Sequence, residues 1–266
     1  MNNKIGFVGA GNMGSAILCG AVEKAGFEKC DISVCSLEIS DKVKSLNINV
    51  TNLQELIANS DYIILCVKPN SFEKLLSDIK GTKGYSDKVY VSIAAGITID
   101  YIKSILGDVK VIRTMPNINL LSGAGMTVVA PDDKTNEEEL CFAEKIFSGA
   151  GRTLRVKESL VDSCTAVSGS GPAYAFMFIE AMADAAVMQG IARQDAYMLA
   201  SQTLLGSALM QMETGLNPGV LKDMVCSPGG TTIAGVMALE ENGFRNAVIK
   251  SVTAAYDKTL IMQGRK

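Results

Sequence analysis

Over the first part of the chain, up to about residue 155, short apolar runs alternate with amphipathic stretches. Lys4-Ile5-Gly6-Phe7-Val8 opens the series, and further strands are predicted at 31–35, 62–67, 89–93, 109–114, 125–130 and 152–156. Tyr62-Ile63-Ile64-Leu65-Cys66-Val67 is apolar without alternation, as a parallel strand covered on both faces must be. Helices are predicted at 53–58, 71–79 and 137–147. Strands and helices in alternation define a doubly wound α/β sheet.

From about residue 159 the pattern changes. Pro172 suits a first helical turn, and 173–188 is apolar almost all round, interrupted by Glu180 and Asp184; 198–212 is nearly as apolar. A helix apolar on every face must be buried on every face, and a region this short has too little interior to do that for both. Neither run reaches the ~20 residues needed to span a bilayer, so no membrane association is expected. Burial against a second copy remains, and an interleaved homodimer is expected. The alternative is a monomer whose N-terminal domain covers these helices.

The first strand runs straight into Gly9-Ala10-Gly11-Asn12-Met13-Gly14, and a helix-forming stretch from Ser15 follows. In that context a G-x-G-x-x-G turn binds a dinucleotide. Gly9 permits the tight turn, Gly11 lets backbone approach a pyrophosphate, and Gly14 lets the helix pack on the strand. The free N–H groups of the helix start, at Asn12 and Met13, face the phosphates with the positive end of the helix dipole.

Composition narrows the chemistry. The 266 residues are 48% hydrophobic and 20% charged, which describes a packed globular protein, and a net charge of −3 gives no excess of cations for nucleic acid. The seven cysteines form no C-x-x-C pair and no zinc-ligand spacing, so no metal is expected. Scattered thiols and the absence of a leader-like apolar stretch after Lys4 point to the cytoplasm. There is no histidine, which removes Ser-His and Cys-His nucleophilic machinery.

Three loops follow predicted strands at the carboxyl edge of the sheet: Val67-Lys68-Pro69-Asn70, Ile93-Ala94-Ala95-Gly96 and Thr114-Met115-Pro116-Asn117. Binding residues of such sheets lie there, and small residues let a flat nicotinamide ring approach the backbone. Later in the chain, Cys226-Ser227-Pro228-Gly229-Gly230-Thr231-Thr232 precedes an amphipathic helix predicted at 233–242. Its backbone N–H groups and hydroxyls make an anion site at a helix start. The plainer reading is a helix cap supplied by Thr231 or Thr232.

The stretch from Leu221 through Asp223-Met224-Val225-Cys226-Ser227-Pro228-Gly229-Gly230-Thr231-Thr232 to Leu239-Glu240 resembles the signature of pyrroline-5-carboxylate reductases. The resemblance covers essentially the whole chain. It includes the glycine turn, Val67-Lys68-Pro69, Ser92-Ile93-Ala94-Ala95-Gly96, the segment from Arg113 to Asn117, and Ser168-Gly169-Ser170-Gly171-Pro172-Ala173-Tyr174. It implies a Rossmann-type dinucleotide-binding domain over 1–157 and an all-α substrate-binding and dimerisation domain over 158–266. It also implies reduction of 1-pyrroline-5-carboxylate to L-proline by NAD(P)H, and assembly of dimers into decamers. Within the family pattern, Ser227, Gly229, Gly230 and Thr231 bind the substrate carboxylate and Thr232 contacts the ring nitrogen. Gly9, Gly11, Asn12, Met13, Gly14, Val67, Lys68, Pro69 and Ala95 bind cofactor, and Ser36 and Asn52 match contacts to a 2′-phosphate.

NADPH is therefore the expected cofactor, with NADH as the alternative. Ser36 stands where NAD sites usually carry an acid, while Glu38 two residues later departs from the family's commoner pattern. Two rival functions remain. A 3-hydroxyacid dehydrogenase would need a catalytic lysine in 173–188, which has none. A non-enzymatic dinucleotide sensor would have an eroded 227–232 loop, and this one is intact.

Overall fold

In the computed structural model, which describes residues 3–263, the chain packs as two compact units. One runs to Gly169 and resumes at Tyr256; the other is Ser170–Ala255.

The first unit contains one eight-stranded sheet. Its strands are β1 (Ile5–Ala10), β2 (Ile32–Ile39), β3 (Asn49–Val50), β4 (Tyr62–Leu65), β5 (Val89–Ser92), β6 (Lys110–Pro116), β7 (Gly125–Pro131) and β8 (Gly151–Arg155). They lie in the order β3-β2-β1-β4-β5-β6-β7-β8. The helices are α1 (Asn12–Glu23), α2 (Asp41–Ser45), α3 (Leu53–Asn59), α4 (Phe72–Lys80), α5 (Ile99–Leu106), α6 (Glu137–Ser148) and α7 (Val161–Ser168). Alternate strand residues feed opposite faces. Ile5, Phe7, Ile64 and Val91 pack with α1 and α6, whereas Val8, Ile63, Leu65 and Tyr90 pack with α3, α4 and α5. Asn52, Thr98 and Asn136 fix where α3, α5 and α6 begin, each side chain accepting a backbone N–H three residues on.

β1 to β6 are mutually parallel where they pair, but β7 runs antiparallel to β6. The connection over 117–124 is too short for the crossover of a dozen or more residues that a parallel neighbour requires. β3 escaped the sequence pattern because its two residues show no periodicity.

The units divide later than the change of sequence character near 158. α7 lies beyond that point yet is fastened to the sheet. At its start the buried Arg113 of β6 donates from Nη2 to Asp162 Oδ1 at 2.8 Å and from Nη1 to Glu158 Oε1 at 3.4 Å. Glu158 Oε1 also accepts the Ile99 N–H at 2.8 Å, so it holds the start of α5 as well. At the far end of α7, Asn117 Nδ2 donates to the Ser168 carbonyl at 3.0 Å.

The second unit is helical: α8 (Gly171–Met188), α9 (Arg193–Thr214), α10 (Pro218–Val225), α11 (Thr231–Glu241) and α12 (Phe244–Met262), the last ending in the stretch that packs with the first unit. Ala183 of α8 and Ala196 and Ala200 of α9 are buried, and their small side chains let the helices approach closely. Tyr174 Oη donates to the Ser251 carbonyl at 3.2 Å. The apolar surfaces foreseen for these helices remain open in the single chain: Met177 is 68% exposed, Leu205 51%. No helix of the described residues is long and apolar enough to cross a membrane.

Replacing Arg113 by Met would leave the buried Asp162 carboxylate without its guanidinium. The expected loss is about 3 kcal/mol of unfolding free energy, read from urea denaturation of the full chain; a loss below about 0.5 kcal/mol, the ordinary range for a surface change, would show that the pair does not hold α7.

Candidate active site

The turn after β1 is shaped by steric necessity. Gly9 has φ +95°, and a Cβ there would lie 2.8 Å from the Cys66 carbonyl oxygen. A Cβ on Gly14 would sit 2.6 Å from the Gly9 carbonyl oxygen. Gly11 differs: its φ of −67° suits any residue, and a Cβ there would meet nothing within 4 Å. Two of the glycines are thus required by the fold, and the third keeps open the space in front of α1. Gly11 is the N-cap of α1 and no side chain caps the helix, so the Asn12, Met13 and Gly14 amides have no intrahelical acceptor. That is a cradle for a diphosphate, and a dinucleotide fits it. Ser15, unremarked in the sequence beyond its place in the helix, closes the turn by donating from Oγ to the Ala10 carbonyl at 2.7 Å.

Because β1, β4, β5 and β6 are parallel, their carboxyl ends share one edge. Gly9 to Gly14, Val67, Lys68, Pro69 and Ala95 all lie along it. Pro69 opens a 3-10 turn, and the Ser71 N–H returns to the Lys68 carbonyl at 2.9 Å. Ala95 and Gly96 are exposed, and Gly96 takes φ +77° with open space where a side chain would be. Thr114 Oγ1 donates to the Ser92 carbonyl at 2.9 Å, tying the ends of β5 and β6 together. Asn117, from the third loop, is consumed structurally: its Oδ1 accepts the Met126 N–H while its Nδ2 holds α7.

The end of β2 holds Ser36. Its Oγ accepts the Ala10 N–H at 3.0 Å and donates its proton to the Glu38 carbonyl at 2.6 Å. Asn52 Oδ1 is engaged as the cap of α3, with the Glu55 N–H at 2.9 Å, which leaves the amide NH2 to point elsewhere. A cleft of about 490 Å³ runs from the glycine turn along α1, between Glu38, Ser40 and Lys42 on one side and the 120–123 turn on the other. Burial pushes the Cys66, Cys35 and Cys19 thiols up, so they pack as neutral groups and offer no thiolate here.

In the second unit, α10 gives way to a turn in which the Gly230 N–H donates to the Ser227 carbonyl at 3.0 Å. Gly229 has φ +66°. A Cβ on Gly230 would lie 2.3 Å from Ser227 Oγ, so the hydroxyl folds over the glycine. The cap of α11 is Gly230, and no side chain caps the helix. Thr231 and Thr232 are its first two residues, not its cap as the plainer sequence reading had it. The exposed Thr231 and half-buried Thr232 hydroxyls make no hydrogen bond among the described residues. Free amides at a helix start, with a hydroxyl beside them, suit a small anion such as a carboxylate.

A largely parallel sheet with this turn, beside a separate helical unit, defines a dinucleotide-dependent oxidoreductase. Residues 4–96 match the family model described as NADP oxidoreductase coenzyme F420-dependent, and residues 158–262 match pyrroline-5-carboxylate reductase dimerisation. The pyrroline-5-carboxylate reductase of Escherichia coli is 46% identical over 97% of this chain and 98% of its own length; that of Methanosarcina acetivorans is 44% identical over 97% of each. Among solved structures, the Plasmodium falciparum pyrroline carboxylate reductase with NADP bound superposes with a TM-score of 0.86 at 32% identity, covering 98% of both chains. The Coxiella burnetii reductase gives 0.91 at 30% identity, covering 97% of this chain and 98% of that one. The chain belongs to the pyrroline-5-carboxylate reductase family.

Gly11→Val places a side chain in open space at an ordinary φ. The variant is expected to stay folded, its melting temperature lowered by about 2–4 °C because valine is a poorer N-cap than glycine, while losing NADPH and NADH binding in a fluorescence titration. Unchanged affinity in the folded variant would remove the glycine turn from the cofactor site.

Proposed function

We infer that this chain reduces the C=N bond of 1-pyrroline-5-carboxylate to give L-proline, with NAD(P)H, when bound, supplying the hydride. The observation that carries this reading is the α11 start, whose free amides and uncommitted Thr232 hydroxyl stand together on a turn in which Gly229 takes φ +66°. Ser227, Gly229, Gly230 and Thr231 hold the carboxylate, which the helix dipole favours at this end. Thr232 Oγ1 hydrogen-bonds the ring nitrogen and thereby fixes which face of the imine is presented. An imine is already electrophilic, so positioning supplies most of the catalysis. The chain has no histidine to act as an acid, and solvent delivers the proton to nitrogen. Seven unpaired thiols suit the reducing cytoplasm.

The working assembly is a homodimer formed through the open apolar faces of α8 and α9, with dimers combining further into decamers. The match to a dimerisation model over 158–262 supports it.

Loss of one hydrogen bond to substrate in a dehydrated site costs roughly 1.5–3 kcal/mol, on the order of a 10- to 100-fold fall in kcat/KM. Thr232→Ala is expected to show that fall with NADPH affinity and melting temperature retained, and Thr232→Ser to keep most activity. Normal turnover in the Ala variant would sink the assignment.

Leu205 is half exposed in the single chain, so a charge there costs little unless a second copy covers it. Sedimentation of the wild type is expected to give a dimer or a multiple of it. Leu205→Glu should give aggregated or unfolded protein, because an unpaired buried charge costs several kcal/mol. A soluble, folded wild-type monomer would contradict the assembly.

A further inference from the structure

The end of β2 departs from regular pairing. Val8 pairs with Cys35, but Ala10 pairs with Ile39, so Ser36, Leu37 and Glu38 bulge out beside the glycine turn. The Ser36 hydroxyl bonds the Ala10 N–H, which fixes this bulge against the turn that receives the diphosphate. The adenosine ribose adjoins the diphosphate, so its 2′-position falls to the bulge. Three observations describe what a group there would meet. The Ser36 proton is committed to the Glu38 carbonyl, leaving a lone pair to face outward. Leu37 is fully exposed and apolar. Glu38 lines the cleft with Gly11 and Asn12, and its carboxylate forms no ion pair or hydrogen bond among the described residues. Two lysines line the same cleft with contacts of their own: Lys42 reaches Glu23 at 3.5 Å, and Lys24 lies over Gly123.

We propose that Glu38 selects against the 2′-phosphate of NADPH and tilts this chain toward NADH. The inference rests on the cofactor reading of the glycine turn and reverses the preference expected from Ser36 and Asn52. A ribose diol has two O–H donors that an uncommitted carboxylate accepts with charge assistance. A phosphate in the same place brings like charge beside Glu38, and the Ser36 proton, already given to the Glu38 carbonyl, does not offset it.

Fluorescence titration of the full chain with NADH and with NADPH, without pyrroline substrate, tests this independently of catalysis. The wild type is expected to bind NADH more tightly. Glu38→Gln should tighten NADPH by about tenfold while NADH stays within about threefold, and Glu38→Lys should shift the ratio further. The side chain is exposed and holds no partner, so both variants should melt at the wild-type temperature. An NADPH-to-NADH affinity ratio unchanged in both variants overturns the proposal. Failure of the wild type to bind either dinucleotide overturns the cofactor reading beneath it, whereas clear binding with no turnover of pyrroline-5-carboxylate would fault only the substrate assignment.

Discussion

The approach of α1 to the sheet at Gly9 and Gly14 is the constraint on which the first unit depends. The Gly9 carbonyl lies where a Cβ of residue 14 would be, and the Cys66 carbonyl lies where a Cβ of residue 9 would be. With β1, β4 and α1 this close, the helix begins at the carboxyl edge of the sheet and its amides face outward at the ends of the central strands. Any side chain at either glycine would lift the helix and carry the amides off that edge. The tight packing of β1, β4 and α1 and the outward-facing amides are therefore one geometric fact.

The second unit obeys the opposite logic. Its helices are joined through small contacts such as Ala183 with α9, and much of their apolar surface faces outward. Open apolar surface of this kind is what the proposed homodimer would cover. The α11 start is built locally all the same. Gly229 turns the chain, Gly230 caps the helix, and the Thr232 hydroxyl is left without an internal duty.

Most of the first unit was legible because its signals are local. Continuous apolar runs gave β4 and β5, and one six-residue motif gave the turn. What was not legible depended on distant partners or on direction. Strand polarity leaves no periodic mark, so the apolar run of β7 does not show that it lies antiparallel to β6. α7 lies within the stretch 158–262 that matches the dimerisation model, yet nothing in its own sequence announces that Arg113, 49 residues before Asp162, ties it to the sheet. At the α11 start, a threonine cap and a glycine cap fit the same residues equally well, and only the backbone distinguished them. Asn117 was read as a site residue from its place after a strand, whereas both ends of its amide are spent on the fold. Along α1, Ser15 showed no signal as the residue that closes the turn.

Ser36 has a consequence for how this protein can change. Its oxygen is the acceptor for the Ala10 N–H, so an alanine there would strip the glycine turn of a hydrogen bond and, on the proposed cofactor reading, alter the ribose environment as well. Two properties would shift at once, and a variant found by screening at that position would carry a turn defect into every measurement. The Leu37 side chain is fully exposed, and the Glu38 carboxylate holds no hydrogen-bond or ion-pair partner among the described residues. The low-cost route by which this scaffold explores alternative nucleotides therefore runs through the two residues after the serine, with the serine itself held in place by architecture.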